Sequence, residues 1–217
     1  MSSSCLVVFL RRNRIVSFLC SESQPTLSLS PFIHFTNHRF CSKEIQQEYL
    51  EKQFQTFDTL LGKLPLFLHN RSVGPDLLEV LKKDKRRQRG VVHSFDDTLE
   101  LGLQFIDLGL YIGLNGCSLK TEENLNVVKK LPLDKILLET DCPYCEIKQS
   151  HAGFHHIKTQ FEKKTDKKFE LGKMVKGRNE PCQMVQVAEV IAGVKGIDVQ
   201  EVADQCYQNS LELYGWK

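Results

Sequence analysis

His69, His93 and Asp141 each close a short apolar run, and together they offer two imidazoles and a carboxylate. The runs are Leu64–Leu68 before His69, Gly90–Val92 before His93, and Lys135–Leu138 before Glu139-Thr140-Asp141. Such a set suits zinc or a similar divalent ion, with one coordination position left open for water. A bound ion of this kind lowers the pKa of its water and neutralises charge developing on a phosphoryl or acyl oxygen. A single histidine at the end of an apolar run is usually a satisfied structural group. The same placement on three of the four runs, the other being Leu110–Leu114 before Asn115-Gly116-Cys117, is a pattern.

Next to Asp141 stands a second candidate chemistry, C-P-Y-C, spelled Cys142-Pro143-Tyr144-Cys145. Glutaredoxin-type proteins carry this dithiol near their beginning, ahead of a helix whose amino terminus lowers the thiol pKa. Here it comes after three strand–helix units, and nothing beyond it reads as the rest of a thioredoxin-like sheet. A zinc knuckle using Cys142 and Cys145 with His151 and His155 needs tighter spacing than zinc modules use. Both cysteines therefore read as ordinary residues of the loop leaving the strand.

The elements that must position these residues follow from periodicity. Helical spacing of apolar residues predicts helices from Ser42 to about Leu61, over Pro75–Lys85, Asp97–Leu108 and Glu122–Lys130, and over Pro181–Val194. Asp198, with Glu201 three residues on, opens a last helix with a capping box that runs to about Tyr214. The four short apolar runs alternate with these helices, which is the pattern of parallel βα units. Continuously apolar strands belong to a sheet covered on both faces. Polar residues at the carboxyl ends of such strands converge on one mouth, where α/β barrels keep their active sites. Between Cys145 and Arg178 lies a polar, lysine-rich excursion containing Lys163, Lys164, Lys167 and Lys168, which reads first as a solvated loop and second as residues able to meet phosphates.

Composition sets wider bounds. The 217 residues are 41% hydrophobic and 26% charged, as in an ordinary globular protein, and the net charge of +2 neither demands nor excludes a nucleic-acid partner. No run approaches the ~18 apolar residues of a membrane-spanning helix, so no membrane partner is expected. Eight cysteines scattered along the chain without a secretory signal favour free thiols in a reducing compartment. Residues 1–40 differ from the rest, being rich in serine and arginine with Glu22 as their one acidic residue, the composition of an organelle transit peptide, with a disordered tail or an alternative first exon as the other readings. The expected location is the cytoplasm or nucleus, or a mitochondrion or plastid if residues 1–40 act as a transit peptide.

Five pieces in order carry a resemblance: P-L-F-L-H at 65–69 with Arg71, G-V-V-H-S-F at 90–95, Y-I-G-L-N-G at 111–116, L-E-T-D-C-P at 138–143 and R-N-E-P at 178–181. From about Phe40 onward the chain resembles the TatD-type metal-dependent deoxyribonucleases, and S-H-A-G at 150–153 is most similar to their eukaryotic branch. The resemblance implies an α/β fold: a TIM-type (β/α) barrel of the metal-dependent hydrolase superfamily. It is expected here in incomplete form, about four βα units plus carboxyl-terminal helices over residues 41–217, with 1–40 a non-family segment. It implies divalent cations (Mg2+, Zn2+ or Mn2+), two per active site in the complete family fold. It implies DNA as substrate, cut by phosphodiester hydrolysis in the manner of a 3′-to-5′ exonuclease. The family's metal ligands fall on His69, His93 and Asp141, and Asp141 also helps activate the attacking water. Glu139, Arg178 and Asn179 stand as supporting residues near the mouth, with Arg71 and His151 as further supporting or substrate-contacting positions.

Two family features are not in this sequence: the H-x-H of the first strand, and the G-E-x-G-L-D stretch whose glutamate bridges the metals. A complete barrel takes about 250 residues. A partial barrel would expose open strand edges, so self-association through them is expected. Two other readings stand beside the nuclease: a catalytically impaired relative, and a metal-dependent hydrolase of a substrate other than nucleic acid.

Overall fold

A computed structural model of the chain describes residues 32–36, 65–71, 74–83 and 89–215, with 32–36 and 71 described as backbone. Its centre is one parallel sheet whose spatial order is its sequence order: β1 (Phe32–Thr36), β2 (Leu66–Arg71), β3 (Gly90–His93), β4 (Tyr111–Leu114) and β5 (Ile136–Leu138). Between strands the chain crosses back through α1 (Gly74–Lys83), α2 (Leu99–Asp107) and α3 (Glu122–Lys130). Each strand is laid beside the one before it, which is how the wall of a (β/α) barrel grows. Among the described residues the sheet stays open, with β1 and β5 at its edges.

Four of these strands are the apolar runs read from sequence. The fifth, β1, is an addition that lies within residues 1–40. It pairs with β2 so that the backbone of His34 stands opposite His69, and His69 in turn stands opposite His93. On the other side Leu114 is level with Leu138. These registers align the carboxyl ends of the strands, so whatever follows them shares one rim. The helix expected from Ser42 to Leu61 lies outside the described residues, as does the end of the one expected over Pro75–Lys85.

Alternation along the strands sorts the side chains onto two faces. Leu66, Leu68, Val92, Ile112, Leu114 and Ile136 are buried in the main core. They share it with Leu81 of α1, Phe105 of α2, Val128 of α3, Val190 of α4 (Met184–Lys195) and Val202 of α5 (Val199–Tyr214). Phe67, Val91, Tyr111 and Leu137 point the other way and form a smaller cluster with Leu213 and Tyr214 from the end of α5. His69, His93, Gly113 and Glu139, each two positions further along its strand, belong to that second face.

Local chemistry sets the helix ends. α2 begins at Leu99, two residues later than Asp97, because the Thr98 hydroxyl accepts from the Leu101 amide at 3.3 Å and so serves as the cap. α3 keeps the expected bounds through a reciprocal Thr121–Asn124 box. Asp198 caps α5 by accepting from the Gln200 amide at 2.8 Å, in place of the bond pattern expected of a box with Glu201. Pro181–Gln183 forms a 3-10 turn ahead of α4.

The long excursion has anchors. Gln186 Nε2 donates to Thr159 O at 2.9 Å, and the Glu189 carboxylate accepts from the amides of Lys158 and Thr159. Beyond them, β6 (Lys163–Lys164) and β7 (Met174–Val175) make a short parallel pair. Among the described residues no helix is long and apolar enough to cross a membrane.

Candidate metal and hydrolytic site

His93 is the centre of the site. It ends β3, is 1% exposed, and holds its ring between two carboxylates, with Nδ1 2.8 Å from Glu139 Oε2 and Nε2 3.0 Å from Asp141 Oδ1. Burial by itself lowers the pKa of His93, but the Glu139 charge and the contacts with Asp141 outweigh it and raise the pKa from 6.5 to about 10. Without metal, His93 is therefore an imidazolium gripped at both nitrogens. The ring is also sandwiched laterally, with Phe67 at 4.6 Å and His69 at 5.4 Å between centroids.

Glu139 reaches His93 from a distance of two strands. It follows β5, whereas His93 ends β3, so its side chain must cross over β4. It can do so because β4 carries Gly113, where a Cβ would lie 2.0 Å from Glu139 Oε1. The carboxylate is fixed further by the Ser94 amide, which donates to Oε2 at 2.9 Å. A carboxylate held on Nδ1 fixes the proton of that nitrogen and aims Nε2 at Asp141, the arrangement protein metal sites use to orient a ligating histidine.

Asp141 is 8% exposed and adopts φ 55°, an uncommon backbone region for any residue but glycine. Asn179 holds it there from outside. Its Nδ2 donates to Thr140 O at 2.6 Å and to Tyr144 O at 2.7 Å, and its amide donates to Pro143 O at 3.0 Å. Ser94 (φ 54°) and Cys145 (φ 58°) share the left-handed conformation, so strain gathers around this one rim. Asn115, fully buried, braces Ser94 by donating to its Oγ at 2.8 Å.

The thiols do not follow the C-P-Y-C spacing. Cys145 Sγ lies 2.7 Å from Cys117 Sγ and 3.7 Å from Asp141 Oδ2. The bond between the two thiols holds that of Cys117 below its ordinary range and pushes that of Cys145 up.

The other expected positions scatter. Arg178 is exposed and pairs with Glu180 at 3.3 Å, turned to solvent while its neighbour Asn179 is buried. His151 sits at the start of the turn Ala152–His156, where its own burial and the charges of Lys120 and Lys148 lower its pKa. The Arg71 side chain lies outside the described residues. In the excursion, Lys163 pairs with Glu146, and Lys164 with Glu162 and Glu170, while Lys167 and Lys168 are exposed.

The donor set fits a divalent ion in part. Two donors at right angles on one ion, each about 2.1 Å from it, stand about 3 Å apart. That is the separation of His93 Nε2 and Asp141 Oδ1. His69 lies alongside, yet among the described residues no three His, Cys, Asp or Glu side chains converge on one point. The assembled element is a pair with an adjacent imidazole. Ser94, Gly113 and Asn115 lie within the motifs, but none is of a type that by itself signals metal ligation or acid–base chemistry.

The chain has known relatives. The family model described as TatD related DNase matches residues 34–215. The chain is 43% identical over 178 residues to the Schizosaccharomyces pombe protein named deoxyribonuclease Tat-D, covering 80% of this chain and 56% of that one. A Saccharomyces cerevisiae protein of the same name is 34% identical over 230 residues, covering 84% and 55%. Among solved structures it is similar to a TatD family hydrolase from Entamoeba histolytica, with a TM-score of 0.73, 34% identity and coverage of 81% and 58%. It is also similar to an amidohydrolase from Saccharomyces cerevisiae, with a TM-score of 0.69, 33% identity and coverage of 81% and 61%. The chain thus spans a little over half the length of these relatives. It belongs to the TatD related DNase family.

Proposed function

We propose that the rim formed by β2, β3 and β5 binds a divalent cation and hydrolyses phosphodiester bonds of DNA. The observation that carries this reading is the buried His93 held between Glu139 and Asp141 in a chain of this family. His93 Nε2 and Asp141 Oδ1 would hold the ion, with His69 beside them. When bound, a divalent ion supplies Lewis acidity toward a phosphoryl oxygen and acidifies a water.

The chain's own residues do the rest. Glu139 keeps the proton on His93 Nδ1, so that Nε2 is the nitrogen that gives up its proton to a ligand. Asn179 keeps Asp141 in its strained conformation. As water adds to phosphorus and the bond to the leaving sugar oxygen breaks, Asp141 Oδ2 takes the water's proton and passes it to the leaving oxygen. Lys167 and Lys168 meet the phosphate backbone.

The test is cleavage of end-labelled DNA by the purified chain with Mg2+, Mn2+ or Zn2+, beside a chelator control and a panel of esters and cyclic amides. Shortening from the 3′ end that chelator abolishes supports the reading. Turnover of the esters or amides with intact DNA shifts the substrate class and leaves the site.

One observation favours a second reading, metal binding without cleavage: His93 has both nitrogens engaged by carboxylates, and no third ligand converges among the described residues. Metal uptake with no turnover of any substrate would establish it. Self-association through the edge strands β1 and β5 is a related proposal, checked by light scattering on the eluting chain; a monomer would end it.

A further inference from the structure

The C-P-Y-C dithiol is split by the fold. Cys145 faces Cys117, which lies 28 residues earlier on the turn Gly116–Leu119 after β4. Both thiols are free and half-buried, so a small oxidant reaches them. Their approach is set by backbone. A Cβ on Gly116 would lie 2.0 Å from the carbonyl oxygen of Cys145, so the loop after Asp141 rests directly on that turn. On one side, Asn115 Oδ1 fixes the Cys117 amide at 2.8 Å. On the other, Asn179 holds Thr140 O and Tyr144 O. Neither sulfur has to wait for a loop to move. The two Sγ atoms are in direct contact.

We propose that Cys117 and Cys145 are a reversible modification site, a dithiol that a peroxide converts to a disulfide tethering the Asp141 loop to the end of β4. One thiol yields its proton to the departing oxygen as its sulfur attacks a peroxide oxygen, the O–O bond breaks, and a sulfenic acid and water form. The second thiol likewise yields its proton to the sulfenic oxygen, which leaves as water as the S–S bond closes. Two thiols and one hydrogen peroxide thus give one disulfide and two waters, the two electrons passing from sulfur to oxygen. Two equivalents of a small thiol reverse the step by exchange. In a reducing compartment such a pair rests as thiols and closes under oxidant.

The tether acts on a residue of the proposed site. In the reduced chain the Cys145 thiol stands 3.7 Å from Asp141 Oδ2, and closure withdraws that donor. It also ties down the turn in which the Tyr144 amide donates to Asp141 O at 2.8 Å. The modification does not depend on the nuclease reading, because its readouts need neither metal nor DNA.

The experiment treats the purified chain with stoichiometric hydrogen peroxide, blocks remaining thiols with N-ethylmaleimide, and maps the digest by mass. The expected result is one cross-link joining the Cys117 and Cys145 peptides, lighter by about 2 Da and reversed by dithiothreitol. Cys142→Ser retains the cross-link and Cys117→Ser removes it. Amide exchange at Tyr144 is expected to slow about tenfold in the oxidised chain, since tethering raises the free energy of local opening. A cross-link between Cys142 and Cys145, alkylation of both Cys117 and Cys145 after oxidation, or exchange unchanged by the cross-link would each overturn the proposal. The first two are read on the wild-type chain, so a misfolded variant leaves the test intact.

Discussion

Glu139 touches His93 across an intervening strand, 2.8 Å from carboxylate to imidazole, over the one position of β4 that has no side chain. This relationship makes the glycine of Y-I-G-L part of the site. Its backbone provides β4, and its missing Cβ provides the passage.

Gly113→Ala closes that passage, since the new methyl would fall 2.0 Å from Glu139 Oε1. Overpacking of this kind costs about 1–3 kcal/mol, so urea unfolding should show a lower midpoint at an unchanged slope. Metal affinity should fall by about 10–100-fold as Glu139 leaves His93. Wild-type affinity in a folded variant would show that Glu139 does not orient the imidazole.

Glu139→Gln tests the electrostatics directly. Burial pulls the His93 pKa down, and it stands at about 10 because the carboxylates outweigh that pull. Removing the charge that raises it most should bring the value down, read by nuclear magnetic resonance titration of the imidazole in metal-free protein. An unmoved titration would assign the rise to Asp141 alone.

The same shift dictates a pH dependence. A histidine whose folded pKa lies above its unfolded value stabilises the fold fully below the unfolded pKa, and that stability is lost as pH rises through the folded one. For His93 the window runs from 6.5 to about 10. Chelator-treated protein should become steadily less stable across it, and His93→Gln should flatten the decline. A wild-type chain whose stability is level over that range would mean His93 is neutral without metal.

Asn179→Ala and Arg178→Ala should diverge although the two residues are adjacent in R-N-E-P. Asn179 satisfies Thr140 O and Tyr144 O from a buried position, and leaving such carbonyls unpaired costs about 1–3 kcal/mol. Arg178 makes an exposed pair with Glu180, a type worth about 0–1 kcal/mol. Thermal unfolding should therefore drop for the first and barely move for the second. Equal losses would relocate the motif's role to Arg178.

Much of this was legible in the chain because it is local. Apolar runs and their polar ends are written in consecutive residues, as is the Asp198 cap. The contacts that build the site were not, because the partners are distant. Glu139 declares its role only once β4 is known to lie between β3 and β5. Asn179 meets Thr140 from 39 positions away. The pairing of Cys145 with Cys117 is hidden by the more conspicuous spacing to Cys142. Strand β1 also escapes, since Phe32–Thr36 sits in a serine- and arginine-rich context and is defined by its register with β2.

The proposed hydrolysis of phosphodiesters rests on His93 and Asp141 holding a metal ion together. The direct measurement is Mn2+ binding and DNA cleavage followed on the same samples of wild-type chain and Asp141→Ala. Wild type should bind the ion and shorten the DNA, and a folded Asp141→Ala chain should lose both together. Cleavage that persists in Asp141→Ala, or in wild type stripped by chelator, would contradict it.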